Sequence, residues 1–259
     1  MNIVVCVKQV PDTNEVKIDP VKGTLIRSGV PSIINPDDKN ALEEALRLKD
    51  AFGANVTVIT MGPPQAEAVL RESIAMGADD AVLITDRAFA GADTLATSHA
   101  LAGALRKIDH DIVFAGRQAI DGDTAQVGPG IAEHLEYPQV TYVEEVAVGE
   151  DSLKVRRALE DGYEMLEIKT PCLLTAIDTL NEPRYMNMRN IFTTFEKEIK
   201  IWNAEDIGVD KSLLGLSGSP TKVFKSMTKE PKGKGEVVEL SPKEAAAVAV
   251  SKLKEKHYI

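Results

Sequence analysis

Cysteine is scarce in this 259-residue chain: there are two, Cys6 and Cys172, each inside an apolar run, and no C-x-x-C pair. That excludes a disulfide framework and a thiol redox motif, and both read as small core residues in a reducing compartment. Four dispersed histidines, with no H-E-x-x-H and no Cys/His cluster, leave no metal-ligand pattern. Positive charge is in deficit. The 30 Lys and Arg against 40 Asp and Glu give −10, which argues against an exposed nucleic-acid-binding face. No apolar run comes near the roughly 18 residues of a membrane span. The start, MNIVVCVKQVP, lacks a basic region and a small-residue cleavage site, so it is read as mature sequence rather than a signal peptide. Also missing are G-x-G-x-x-G after the first strand, G-x-x-x-x-G-K-[ST] and G-x-S-x-G. The NAD-type Rossmann, P-loop and serine-hydrolase readings therefore lose their main support, and the chain is expected to be soluble, acidic and intracellular.

What is there points to an α/β protein. At 44% hydrophobic and 27% charged, the chain can bury a full core, in one to two domains. Apolar runs at residues 3–7, 56–59, 81–84 and 112–114 read as strands buried on both faces. Helical patterns fall between them. Asn35-Pro36-Asp37-Asp38 opens the first, with a good N-cap, Pro at the first helical position and acidic residues at the positive end of the dipole. Gly77 stops the second, Asp93 caps the third, and the fourth is expected over residues 124–135. Strands alternating with helices of about 10–15 residues mean right-handed βαβ units and a mainly parallel, doubly wound, Rossmann-like sheet. Ligands of such sheets sit beyond the carboxyl ends of the strands.

After about residue 138 shorter β-like pieces follow, at 140–148 and 153–155, with turns at Gly149-Glu150-Asp151 and Asp161-Gly162 and a buried run at 173–177. Beyond Pro183 the core signal fades. Residues 1–183 are expected as one α/β domain, and 184–259 as an extended arm with little core of its own. A Lys/Gly/Pro-rich stretch at 229–235 precedes a terminal helix, where Ser241, Pro242 and Glu244 form a capping box.

Two segments at strand ends are candidates for chemistry. Residues 116–130 carry Asp121, Gly122, Asp123, Thr124, Gln126, Val127 and Gly128. Glycine permits close backbone approach, and amides at a helix start bind anions. The same residues also read as a Gly/Asp-rich turn with Asp123 as an ordinary N-cap. Gly91, Asp93 and Thr94 repeat the features after the third strand, again open to a plain capping role. For residues 35–40 capping is the first reading and a ligand role for Asn35 and Asp38 the second. Val7 and Lys8 form a pocket edge after the first strand, with Lys8 read as a solvated charge.

Four stretches resemble the beta subunit of electron transfer flavoprotein over essentially the whole chain. They are Val5-Cys6-Val7-Lys8-Gln9-Val10-Pro11, residues 116–128, the signature Val155-Arg156-Arg157-Ala158-Leu159-Glu160-Asp161-Gly162-Tyr163-Glu164-Met165-Leu166 with Pro171-Cys172-Leu173-Leu174-Thr175, and Asn181-Glu182-Pro183-Arg184-Tyr185 with Asn190-Ile191. The resemblance implies a bacterial cytoplasmic heterodimer with an FAD-carrying alpha subunit, showing oxidoreductase activity only in that complex. It implies that residues 1–183 are a nucleotide-binding domain with an adenine nucleotide at the strand ends, and that 184–259 carry a partner-recognition loop and C-terminal arm. In one branch the nucleotide is AMP. In the electron-bifurcating branch it is a second FAD that takes a hydride from NADH, with ferredoxin or flavodoxin as a low-potential acceptor. Asp86-Arg87-Ala88-Phe89-Ala90-Gly91-Ala92-Asp93-Thr94 and the intact run 121–129 look like the bifurcating branch. The resemblance also makes Tyr185, Met188 and Ile191 contacts to an acyl-CoA dehydrogenase, although Thr193, Thr194, Phe195 and Glu196 depart from the lysines common there. A stand-alone nucleotide-binding signalling domain of the universal-stress type is the alternative from another class, and the long arm argues against it.

Overall fold

The computed structural model describes residues 1–12, 31–150, 152–224, 235 and 237–259. Its main sheet has nine strands. In chain order these are β1 (Asn2–Cys6), β4 (Asn55–Met61), β5 (Asp80–Ile84), β6 (Ile112–Gly116), β7 (Gln139–Val148), β8 (Ser152–Leu159), β9 (Gly162–Lys169), β10 (Cys172–Ala176) and β11 (Lys200–Trp202). A separate antiparallel ribbon joins β2 (Gln9–Pro11) to β3 (Ser32–Ile34). The helices are α1 (Pro36–Phe52), α2 (Glu67–Met76), α3 (Thr94–Leu105), α4 (Val127–Leu135), α5 (Met188–Thr193) and α6 (Pro242–Glu255).

The sheet runs β11-β5-β4-β1-β6-β10-β7-β8-β9. Pairing is parallel from β11 to β7 and antiparallel from β7 to β9. The chain first winds outward from β1 through β4 to β5, then crosses back to place β6 on the other side of β1. The switch in strand order therefore lies between β1 and β6, where a crevice opens beyond the carboxyl ends.

Alternation along each strand builds two cores. Ile3, Val5, Val56, Val58, Leu83 and Phe114 face α1 and α2 through Leu42, Leu46, Leu70 and Ile74. Val4, Cys6, Ile59, Val82, Val113 and Ala115 face α3 and α4 through Ala100, Leu101, Leu105, Ile131 and Ala132. Helices on both faces make the sheet doubly wound, as the alternating pattern requires. No helix among the described residues is long and apolar enough to cross a membrane.

The β2–β3 ribbon, β9 and α5 were not expected from the sequence, and two further elements depart from the reading. The fourth helix starts at Val127 rather than at 124, because Asp123 and Ala125 take left-handed backbone with φ of 52° and 53°. A residue in that region cannot belong to a right-handed helix, so Asp123 is a loop residue and not the N-cap. Past residue 184 the chain is not all free arm. β11 pairs with β5 and closes that sheet edge, while Ile199, Ala204, Ile207 and Leu214 are buried. The terminal helix α6 does stand at Ser241, whose N–H donates to Glu244 Oε2 at 3.2 Å, and it buries no residue. The stretch 229–235 lies, but for residue 235, outside the described residues.

Candidate functional site

The crevice at the switch point is a cavity of about 460 Å³, within the usual range of small-molecule and cofactor pockets. Its walls come from the segments after β1, β5 and β6 and from the first turns of α3 and α4. Of the residues singled out in the sequence, Val7, Lys8, Asp38, Gly91, Asp93, Thr94, Gly122, Thr124, Gln126, Val127 and Gly128 line it. Asn35, Asp121 and Asp123 do not.

Those three hold the loop instead. Asn35 is fully buried and gives α1 no side-chain cap; its Nδ2 donates to Gln118 O at 2.8 Å and its Oδ1 accepts from Ile120 N at 3.0 Å. Asp121 meets the Lys8 ammonium at 2.6 Å with a carboxylate 4% exposed, so Lys8 is an ion-paired residue rather than a solvated charge. Asp123 accepts from Gln118 Nε2. The loop after β6 is thus braced by the ends of β1 and β3.

The two candidate segments meet. Thr94 Oγ1 donates to Gln126 Oε1 at 2.8 Å. Their helix starts are chemically unlike. Asp93 caps α3 by accepting from Leu95 N and Ala96 N, and its other oxygen accepts from Thr221 N and Oγ1. The carboxylate therefore occupies the α3 amides and places negative charge there. Gln126 precedes α4 and gives it no side-chain cap, its amide being turned toward Thr94. The N-terminal amides of α4, at Val127 and Gly128, supply the positive end of a helix dipole beside the cavity. Close backbone approach is needed here: a Cβ on Gly128 would lie 2.6 Å from Thr175 Cγ2.

Part of the lining is apolar. Cys6, Met61, Phe89, Leu101, Ala115 and Ile131 form it, each from a different element. Sequence reading missed them because each also belongs to, or packs against, the α3/α4-side core, and a pocket wall carries the same apolar signal as core. Burial pushes the Cys6 thiol well above its ordinary range, the Asp38 carboxylate adding to this, so it is a neutral apolar surface. Arg117 was also missed. It lines the cavity, lies 3.4 Å from Asp37 Oδ2 and sits over the Tyr142 ring at 5.9 Å.

A second feature lies on the α1/α2 side. Arg184 forms a fork to Glu43, Nε to Oε2 at 2.8 Å and Nη2 to Oε1 at 3.0 Å, and reaches Asp50 at 2.9 Å. Asn187 N donates to Ala75 O at 2.9 Å. Beyond these anchors Tyr185 is 97% exposed, Met188 70% and Phe192 75%, whereas Ile191 is half-buried. The segment is fixed at its base and presents an apolar crown.

The fold and site define a doubly wound α/β protein with a crevice at its switch point, where α4 starts without a side-chain cap, and with an exposed apolar segment on the α1/α2 side. The electron transfer flavoprotein domain matches residues 22–207. The chain is 72% identical to the electron transfer flavoprotein subunit beta of Clostridium acetobutylicum over 259 residues, all of both chains. It is 57% identical over 262 residues, again covering both chains, to the caffeyl-CoA reductase-Etf complex subunit CarD of Acetobacterium woodii. With the acryloyl-CoA reductase electron transfer subunit gamma of Anaerotignum propionicum the identity is 50% over 268 residues, also complete on both sides. The chain belongs to the electron transfer flavoprotein beta subunit family, and its work is electron transfer.

Proposed function

We propose that this chain holds FAD in the crevice at the β1/β6 switch point, as the beta subunit of a cytoplasmic electron-bifurcating heterodimer. The observation that carries the reading is the joined pair of strand-end segments: Thr94 bonded to Gln126 at an uncapped α4 N-terminus, in a cavity that apolar side chains also line. That donor set fits the group. The Val127 and Gly128 amides take phosphate oxygens, Thr94, Thr124 and Gln126 supply hydroxyl and amide bonds to sugar, and the wall from Cys6 to Ile131 takes an aromatic ring and excludes water. Asp93 and Asp121 are turned away from that role by their own partners, so phosphate binding falls to backbone amides.

The redox chemistry, acceptance of a hydride from NADH included, belongs to FAD when it is bound. The chain binds and orients it. With FAD held here, the electron pair taken from NADH would divide, one electron going to the alpha-subunit FAD and acyl-CoA dehydrogenase and the other to ferredoxin or flavodoxin. Two relatives named for CoA reductases support the dehydrogenase partner. Tyr185, Met188 and Ile191 make that contact, with Met188 as a central anchor, because a cluster this exposed is stabilised by meeting a partner.

The test is the cofactor content of the purified heterodimer. Two flavins per dimer support the reading. One flavin with AMP would replace it by a non-bifurcating carrier whose beta-subunit nucleotide is structural.

A further inference from the structure

We propose that Asp38 is the positioning residue of the crevice: its carboxylate clasps the ends of β1 and β6 and so sets the spacing of the two loops that the nucleotide spans. The inference rests on the nucleotide-binding reading above. Asp38 lies in the first turn of α1 and is 7% exposed. Its Oδ2 accepts the Lys8 N–H at 2.8 Å and its Oδ1 the Gly116 N–H at 2.9 Å. The β1/β6 ladder ends at Cys6↔Ala115. The carboxylate takes over where that ladder stops, bridging Lys8, two residues past Cys6, to Gly116, the residue after Ala115.

Gly116 is part of the clasp. A Cβ there would come within 2.7 Å of the Asp38 nitrogen and the Asp37 carbonyl carbon, and onto Oδ1 itself. The clasp also partitions the cavity. With the Lys8 and Gly116 amides occupied by a carboxylate, the switch point repels phosphate and leaves the α4 amides as its anion site.

The ionised carboxyl accepts strongly from both amides; a proton adds an O–H donor and leaves that oxygen a much weaker acceptor, loosening the clasp. Burial pushes Asp38 up to about 7, against the opposing pull of its bonds from Asn35, Lys8 and Gly116. The charged neighbours are largely spoken for. Asp37 on α1 raises Asp38 further but pairs with Arg117 from the end of β6, Lys8 pairs with Asp121, and Cys6 on β1 is held neutral by burial. Proton and nucleotide therefore compete through one buried group.

The experiment uses the full chain in its alpha/beta complex, with Lys and Gly of this chain labelled by nitrogen-15. The Lys8 and Gly116 amide resonances are followed between pH 5.5 and 8.5, alongside FAD and AMP affinity in wild type and Asp38→Asn. The proposal expects both amides to titrate with one shared midpoint near neutrality. It expects wild-type affinity to fall at least threefold from pH 8 to pH 6, and Asp38→Asn to bind weakly at every pH with less than a 1.5-fold change. Amides that do not titrate together, or an Asn variant that keeps wild-type affinity and pH profile, overturn the positioning role and leave the nucleotide site standing. A complex that binds neither FAD nor AMP in this chain overturns the site, and the role with it.

Discussion

The Thr94 hydroxyl donates to Gln126 Oε1 over 2.8 Å, joining the first turn of α3 to the residue that precedes α4. The bond joins the two strand-end segments that line the cavity. Thr94→Val keeps the shape and removes the donor. A hydrogen bond of this kind contributes about 1 kcal/mol, so the thermal midpoint is expected to fall by about 2–4 °C and FAD affinity by calorimetry by about fivefold. Unchanged affinity would take this bridge out of the site.

Arg184 anchors the docking segment through a carboxylate that is itself 5% exposed, Glu43. Arg184→Ala strands that carboxylate. Because the guanidinium is about one-third exposed, the expected cost is about 1–3 kcal/mol, below that of a fully buried pair. Urea unfolding measures it, and amide exchange at Asn187 should rise in the same variant. A loss under 0.5 kcal/mol with unchanged exchange would show that the fork does not hold the segment.

Met188 is 70% exposed, so Met188→Asp leaves the fold intact. A charge cannot enter an apolar pocket cheaply. Electron transfer to the acyl-CoA dehydrogenase should drop at least tenfold, while NADH oxidation with an artificial dye stays near wild type. Equal loss in both assays indicates misfolding, and no loss in either removes Met188 from the interface.

Asp38 also gives a stability signature. Its carboxyl is raised by burial to about 7 in the folded chain, above the unfolded value of 3.8. A group raised on folding contributes stability that is full below the unfolded value and is lost as pH rises through the folded one. Relative to Asp38→Asn, the wild-type chain should therefore lose urea resistance between pH 5 and pH 8. A constant difference across that window would contradict the burial argument.

The inner strands were legible because β1, β4, β5 and β6 are buried on both faces and read as unbroken apolar runs. Asp93 was legible as a cap for the same local reason: a short carboxylate beside free amides. The start of α4 was not, since nothing in Asp123-Thr124-Ala125 announces left-handed backbone at residues that are not glycine. β11 was missed because it has three residues, with Ile201 62% exposed, and is a strand only by leaning on β5. Asn35 was read as a cap, and its carboxamide reaches instead to Gln118 and Ile120, some 85 residues away in the chain. Such long-range bonds leave no local pattern. The glycines and hydroxyls of the cavity were readable from their spacing, whereas Met61, Phe89, Leu101 and Ile131 come together only in the fold.

The flavin-to-protein ratio of the heterodimer carrying Gly128→Val tests the site most directly. A side chain at 128 meets Thr175 Cγ2 at 2.6 Å and pushes the α4 start out of place. The ratio should fall from two to one, with the alpha-subunit flavin retained. The milder Gly128→Ala should recover the second flavin when combined with Thr175→Ser, which removes the obstructing methyl and keeps the hydroxyl that accepts from Tyr142 N. Two flavins retained at full occupancy in Gly128→Val would contradict the placement of the nucleotide at the β1/β6 switch point.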